Sequence, residues 1–264
     1  MAEQAEPGGQ EKAPTLTGRL PGISVIMYAY NEEYCIEKSG LAAIRDLSEI
    51  TGHLVSRFEL IIVDDGSTDR TSEITREIIR KHPEVICLQH ERNKGVGAAL
   101  KTGVAHSGLD LVTGIPADGQ VTVREVARLL PSILKGHAMA VGYFERRREV
   151  DSGFRMFLSK GLRFYMRLAL GTSQAMDGLF VCNKSLFSSL GPKSDSFMLN
   201  LELPVRAVKS GVDVDFRPIG VHARLGGTSK MLSLKKIAKV WWEVLVLGVD
   251  LRLNRPPLRS GAVR

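Results

Sequence analysis

Phe58-Glu59-Leu60-Ile61-Ile62-Val63-Asp64-Asp65-Gly66-Ser67-Thr68-Asp69-Arg70-Thr71 reads as a short apolar strand that runs into acid, turns on a glycine and enters a helix. Leu60 to Val63 form the unbroken apolar run expected of a parallel strand buried on both faces. Asp64 and Asp65 then fall at the carboxyl edge of the sheet, where open α/β sheets place their ligands. Gly66 supplies the turn, and Ser67 or Asp69 can cap a helix whose inner face is Ile74, Ile78 and Ile79. Acids in such a loop can serve a cap alone. Two side by side need a further reason, because like charges in contact cost free energy. Ribose hydroxyls and the N–H groups of a base are donors that would suit them.

Working outward, the same pattern recurs. Ile23 to Tyr28 reads as a strand with Tyr30-Asn31-Glu32-Glu33 at its carboxyl end, and Ile36, Leu41, Ile44 and Leu47 follow at helical spacing. Beyond the Asp64-Asp65 unit come a strand at Val85–Leu88, a small-residue helix at Gly95–Ser107 and a strand at Leu109–Ile115. Pro116-Ala117-Asp118-Gly119-Gln120 leads into a helix at Val123–Leu134, and Ala138–Phe144 is a fifth strand. Strand and helix alternating through short connections predict a mostly parallel sheet with helices on both faces.

The 264 residues suit one large α/β domain, or one domain with a C-terminal appendage. Lys and Arg exceed Asp and Glu by seven (36 minus 29), which suits an anionic partner and also plain solubility. Cys35, Cys87 and Cys182 are scattered, lie in or beside apolar segments and lack metal spacing, so free buried thiols in a reducing compartment are expected. Met1–Gly22 is polar, contains Gly and Pro and has no apolar signal region, so it reads as a disordered tail. No apolar run reaches the ~20 residues of a membrane span. Basic residues are not interleaved with aromatics on strands, so nucleic acid is not an expected partner.

Gly95-Val96-Gly97-Ala98-Ala99-Leu100-Lys101-Thr102 imitates a phosphate-binding loop, but Leu100 stands where both the Walker and the dinucleotide patterns require glycine. Its small residues point instead to close helix-on-sheet packing.

Tyr30-Asn31-Glu32, Asp64 to Asp69, Asn93-Lys94-Gly95 and Ala117-Asp118-Gly119-Gln120 follow one another in the order and spacing of the family 2 glycosyltransferases. Over residues 23–231 the chain most resembles the branch of dolichyl- and polyprenyl-phosphate sugar transferases. Gly153-Phe154-Arg155 with Ser159 is similar to that branch's Arg-x-x-x-Ser helix. Asp177-Gly178-Leu179-Phe180 is similar to an Asp-x-x-x-Gly segment without the matching glycine. Leu201-Glu202-Leu203 and Arg224 to Lys230 complete the likeness. The resemblance implies a GT-A type fold, a nucleoside-diphosphate sugar donor, Mg2+ or Mn2+, and transfer with inversion. It places Tyr30, Glu32, Asp64, Asp65, Asn93, Gly95 and Ala117 around the nucleotide, and Asp118 and Gln120 at the metal and diphosphate. Arg155, Ser159, Arg224 and Lys230 fall to the acceptor phosphate, and Asp177 and Glu202 near the sugar. Pro116 departs from the family's paired metal acids, leaving Asp118 alone.

The chemistry agrees with those residue types. Expelling a nucleoside diphosphate builds negative charge that a metal or Arg and Lys must neutralise. Arg155, Ser159, Arg163 and Arg167 recur every four residues and share one helix face, and a guanidinium fork beside a hydroxyl suits phosphate. A lipid phosphate acceptor is already an anion and needs only positioning. A hydroxyl acceptor on a soluble metabolite or wall precursor would need a base, with Glu202 or Asp177 the candidates. A degenerate, non-catalytic nucleotide-sugar-binding fold is the remaining alternative. Leu234, Ile237, Val240, Trp241, Val244, Leu245 and Gly248 form an apolar stripe flanked by Lys235, Lys236 and Lys239. Residues 232–254 therefore suit a helix lying on a membrane surface, the alternative being one docked on the domain or in a homo-oligomer contact, with 255–264 a tail. A cytoplasmic protein peripheral to the membrane is the expectation.

Overall fold

The computed structural model describes residues 18–144, 178–226 and 234–253, with side chains in the last segment described from Trp242. Arg155, Ser159, Asp177 and Lys230 lie outside the described residues, as do Arg163 and Arg167.

The first half alternates as its periodicity predicts. β1 (Ile23–Ala29), α1 (Ile36–Ile50), β2 (Phe58–Asp64), α2 (Thr71–Lys81) and β3 (Val85–Gln89) are followed by α3 (Val96–His106), β4 (Leu111–Pro116), α4 (Val123–Leu134) and β5 (Met139–Phe144). After them come β6 (Phe180–Asn183), α5 (Lys184–Leu190), α6 (Leu199–Lys209), β7 (Val214–Ile219) and α7 (Leu234–Leu253). The seven strands form one sheet in the order β3-β2-β1-β4-β6-β5-β7, parallel throughout except that β6 is antiparallel to both β4 and β5. Neither β6 nor β7 stands out in the sequence: β6 has only four residues, and β7 is a partly exposed edge strand containing Pro218.

Two apolar layers flank the sheet. Leu60 and Ile62 of β2 face α1, α2 and α4 through Ile36, Ile44, Leu47, Ile78 and Val126. Ile61 and Val63 face the opposite layer with Leu100 of α3, Phe187 of α5 and Leu203 of α6. All four of those β2 side chains are fully buried, as an interior parallel strand requires. Helix α7 adds a further layer outside α6, packing Val244, Leu247 and Leu251 on Met198, Leu201 and Val205.

The N-terminal boundary falls slightly earlier than the sequence implies. Leu20 is buried and its N–H donates to the Leu54 carbonyl at 2.9 Å, while Ser56 N–H donates back to Leu20 at 2.8 Å. The last residues assigned to the tail are thus bonded to the α1–β2 connection.

Candidate active site

The carboxyl end of β1 organises the site. Its last two carbonyls accept from the loops on either side: Ala29 from Asp65 N–H at 2.8 Å and Tyr28 from Ala117 N–H at 3.1 Å. The loops that follow β1, β2 and β4 are thereby hung from one point, so the acidic segments open on the same edge of the sheet.

Within the β2 loop most of the signature is architecture. Asp64 is fully buried; Oδ1 accepts from Ser67 N–H at 3.0 Å and Oδ2 from the Ser72 hydroxyl. A carboxylate so enclosed fixes the turn, and both of its oxygens are occupied within the protein. Ser67 does not cap α2: its Oγ accepts Asn31 N–H at 2.9 Å. Asp69 serves the helix start instead, accepting Thr71 N–H at 2.9 Å, and its other oxygen takes Glu33 N–H at 3.3 Å. Thr71 Oγ1 accepts Glu32 N–H at 2.8 Å, and Asn31 Oδ1 accepts Thr68 N–H at 2.7 Å. Asn31 adopts a left-handed φ of 53°, which its short amide side chain tolerates. The β1 and β2 loops are therefore sewn together along their length.

Asp65 is nearly buried and carries the neighbouring loop. Oδ1 accepts from Lys94 N–H at 2.9 Å and Oδ2 from Gly95 N–H at 2.8 Å. His90 Nδ1 lies 2.7 Å from Oδ1, and its Nε2 lies 2.9 Å from Thr102 Oγ1. Sequence reasoning missed His90; its position just past β3, level with Asp65 on the sheet edge, was the available signal. Gly66 (φ 72°) lies so close to the 92–93 backbone that a Cβ would fall 2.4 Å from the Arg92 carbonyl carbon. Tyr30 and Asn93 are exposed beside this junction.

On the β4 side, Ala117 is buried with its N–H on Tyr28 and its carbonyl accepting the Ser39 hydroxyl at 2.7 Å. Both of its backbone polar groups are thus spent on holding the loop. Asp118 Oδ1 accepts Gln120 N–H at 3.0 Å, and Oδ2 accepts from Arg224 Nη1 at 3.3 Å. Arg224 Nη2 also donates to both carboxylate oxygens of Glu32, and Nε donates to the Gly226 carbonyl at 2.8 Å. The segment carrying Arg224 is pinned across the edge by Leu225 N–H on the Asp118 carbonyl (3.2 Å) and His222 N–H on the Gln120 carbonyl (2.9 Å). Glu32, Asp118 and Arg224, from three separate stretches, thus meet with one carboxylate in excess.

Among the described residues, no three His, Cys, Asp or Glu side chains gather as a metal set. Mg2+ and Mn2+ nevertheless need only one or two carboxylates beside substrate phosphates and water, so Asp118 is a fitting single-acid donor, while the Gln120 carbonyl, which already accepts His222 N–H, has one lone pair left to offer.

Glu202 lies elsewhere. It is 3% exposed, and its oxygens accept from Lys193 N–H (2.9 Å), Ser194 N–H (2.7 Å) and Arg206 Nε (2.7 Å). A carboxylate committed on both oxygens is poorly suited to take a proton from an acceptor. The cysteines are unpaired. Burial pushes the Cys87 thiol up to about 11 and also raises Cys35 and Cys182, so none offers a thiolate near neutral pH.

Of the stripe expected on α7, the side chains of Leu234, Ile237, Val240 and Trp241 lie outside the described residues. Val244 and Gly248 face inward and are buried, while Trp242, Leu245, Val246, Val249 and Leu253 are exposed. At 100° per residue these five fall within a single ~100° outer face. The helix is apolar on two sides. No helix among the described residues is long and apolar enough to cross a membrane.

A mostly parallel sheet with acidic loops hung beyond β1, β2 and β4 is the GT-A type architecture. The family model "Glycosyl transferase family 2" matches residues 24–190, more than half of the 264. The chain belongs to the family 2 glycosyltransferases. A dolichyl-phosphate beta-glucosyltransferase of Trichomonas vaginalis is 26% identical over 256 residues, covering 89% of this chain and 77% of that protein. A polyprenol monophosphomannose synthase of Mycolicibacterium smegmatis is 27% identical over 77% of this chain and 81% of its own length. An undecaprenyl-phosphate 4-deoxy-4-formamido-L-arabinose transferase of Pectobacterium carotovorum is 32% identical over 59% of this chain, which spans only 46% of that protein. In fold, the chain is similar to the crystal structure of Mycobacterium tuberculosis glucosyl-3-phosphoglycerate synthase with Mn2+, UDP and product. The TM-score is 0.62 at 22% identity, covering 99% of this chain and 89% of that one.

Proposed function

We propose that this glycosyltransferase moves a sugar from a nucleoside-diphosphate sugar to the phosphate of a polyprenyl lipid, with inversion, at a membrane surface. The observation that carries this reading is the meeting of Glu32, Asp118 and Arg224 on the edge where Asp65 secures the Asn93–Gly95 loop. Tyr30 and Glu32, with Asn93 and Gly95 held in place by Asp65, frame the nucleoside. Asp118 and the Gln120 carbonyl would hold Mg2+ or Mn2+, which supplies positive charge for the leaving diphosphate. That charge is wanted, because the trio's excess carboxylate would otherwise repel the donor. Arg224 is placed to exchange its carboxylate partners for phosphate oxygens, and Arg155, Ser159 and Lys230 are proposed for the acceptor phosphate.

In the transfer, an oxygen of the lipid phosphate forms a bond to the anomeric carbon as the bond from that carbon to the diphosphate breaks, and the electron pair leaves with the nucleoside diphosphate. The nucleophile is already an anion, so no base is needed. The engagement of Glu202 supports that choice over a hydroxyl acceptor, and so do the lipid-phosphate acceptors named for the relatives in sequence.

The outer face of α7 supports a lipid surface as the place of reaction. Its two flanking acids are turned into the protein, Glu243 accepting from Ser196 Oγ at 2.5 Å and Asp250 from Lys193 Nζ at 2.6 Å. Arg252 borders the exposed apolar face on the other side, the arrangement an interfacial helix needs. Trp242→Ser combined with Leu253→Ser is expected to weaken sedimentation with anionic vesicles by ~10-fold or more. Unchanged partition would remove α7 from the membrane contact.

The transfer itself is tested by incubating the protein with radiolabelled nucleotide-sugars and polyprenyl phosphate and extracting into organic solvent. Label entering the organic phase with at least one donor is expected; label staying in water with every donor would end the proposal.

A further inference from the structure

The helix start that follows the Asn93–Gly95 loop is braced from outside. Gly97 N–H and Ala98 N–H, in the first turn of α3, both donate to the Asp195 carbonyl, at 2.9 and 3.2 Å. A Cβ on Gly95 would fall 2.2 Å from that oxygen, and one on Gly97 2.5 Å from the Ser194 carbonyl oxygen. The glycines that imitate a phosphate-binding loop are therefore small because residues 194–196 press on them. Asp65 holds the same loop from the sheet side through Lys94 and Gly95.

Residues 193–196 carry no regular secondary structure and depend on side chains for their position. Glu202 takes the N–H groups of Lys193 and Ser194 on separate oxygens. Arg206 orients Glu202 through Nε and reaches Asp250 of α7 through Nη2 at 2.5 Å, and both members of the Glu202–Arg206 pair are buried. From α3, Lys101 Nζ lies 2.6 Å from Asp195 and donates to the Lys193 carbonyl at 3.2 Å. Burying such an ion cluster roughly breaks even against apolar packing, so stability alone is a weak reason for it. What it does, and an apolar cluster could not, is fix the direction of two backbone N–H groups in the brace.

We infer that Glu202, set by Arg206 and Asp250, is a positioning residue for donor binding: through residues 193–196 it holds the Gly95–Ala98 turn in the conformation that receives the nucleotide. This rests on the proposed placing of the nucleotide against Asn93–Gly95. Its mark is a split between kinetic parameters, since a group at the reacting atoms would change turnover and a brace changes donor affinity.

The test compares wild type, Glu202→Gln and Lys101→Met, using UDP and GDP as calorimetric probes and steady-state transfer from nucleotide-sugar to polyprenyl phosphate. Glu202→Gln is expected to raise the donor KM and the nucleoside diphosphate Kd ~10-fold, with kcat and the lipid KM within ~2-fold of wild type. Lys101→Met, which leaves the buried pair intact, should move the donor parameters the same way by ~3-fold. If Glu202→Gln does not fold, Lys101→Met decides. Unchanged donor parameters in folded variants would overturn the inference, and so would a fall in kcat at constant KM, which would return Glu202 to the reacting atoms. Binding of neither probe by wild type, together with no transfer from any nucleotide-sugar, would instead defeat the proposed function, and this inference with it.

Discussion

Asp118→Asn is expected to lower turnover by at least ~100-fold, about 2.7 kcal/mol of barrier, with little change in folding. In the connection between β4 and α4, Asp118 is the only carboxylate, so no second acid can take over its charge. Its two oxygens have separate tasks. Oδ1 closes the turn through Gln120 N–H, and Oδ2 faces Arg224 and the open edge. An asparagine can keep the first contact with its carbonyl oxygen, but it loses the charge that a divalent ion and Arg224 both need. The side chain sits at the sheet edge, 13% exposed, so the core does not depend on it. Single-turnover transfer from a labelled donor measures the effect. Activity within a few-fold of wild type would remove Asp118 from the metal and diphosphate site.

Asp65→Ala should act on folding and donor binding together. The substitution strands two backbone N–H groups, Lys94 and Gly95, and removes the carboxylate beside the buried His90. Each stranded donor costs about 1–3 kcal/mol, so together they take a large share of a domain's ordinary stability. Urea unfolding followed by circular dichroism reads that loss, and calorimetry with UDP and GDP reads the second effect. A stability change under ~1 kcal/mol would show that Asp65 is not the anchor of the 93–95 loop.

Much of the fold was legible because its signals are local. Leu60–Val63 announces a doubly buried strand, and α4 falls at the residues its apolar spacing marks. β6 was not legible: four residues carry no period, and their antiparallel pairing with β4 and β5 is a tertiary fact. At the site, sequence located the acidic segments but not the division of labour among them. Adjacent Asp64 and Asp65 look equivalent on paper, yet one closes its own turn and the other reaches across to Lys94 and Gly95. That difference depends on where β3 and its following loop come to lie. Arg224 illustrates the same limit. Its likeness to a phosphate ligand is a matter of residue type, whereas its fork between Glu32 and Asp118 joins stretches nearly two hundred residues apart. Which side of α7 meets the domain was not legible, because from Trp242 onward the helix is apolar on both its buried and its exposed side and periodicity cannot choose between them.

The central claim is that an acidic edge presents an activated sugar to a nucleophile already charged, so that no base takes part. Offering the enzyme one labelled nucleotide-sugar with equal amounts of a polyprenyl phosphate and the corresponding polyprenol tests it most directly. Sugar on the lipid phosphate alone is the expected result. Sugar on the alcohol, transferred at a comparable rate, would contradict it.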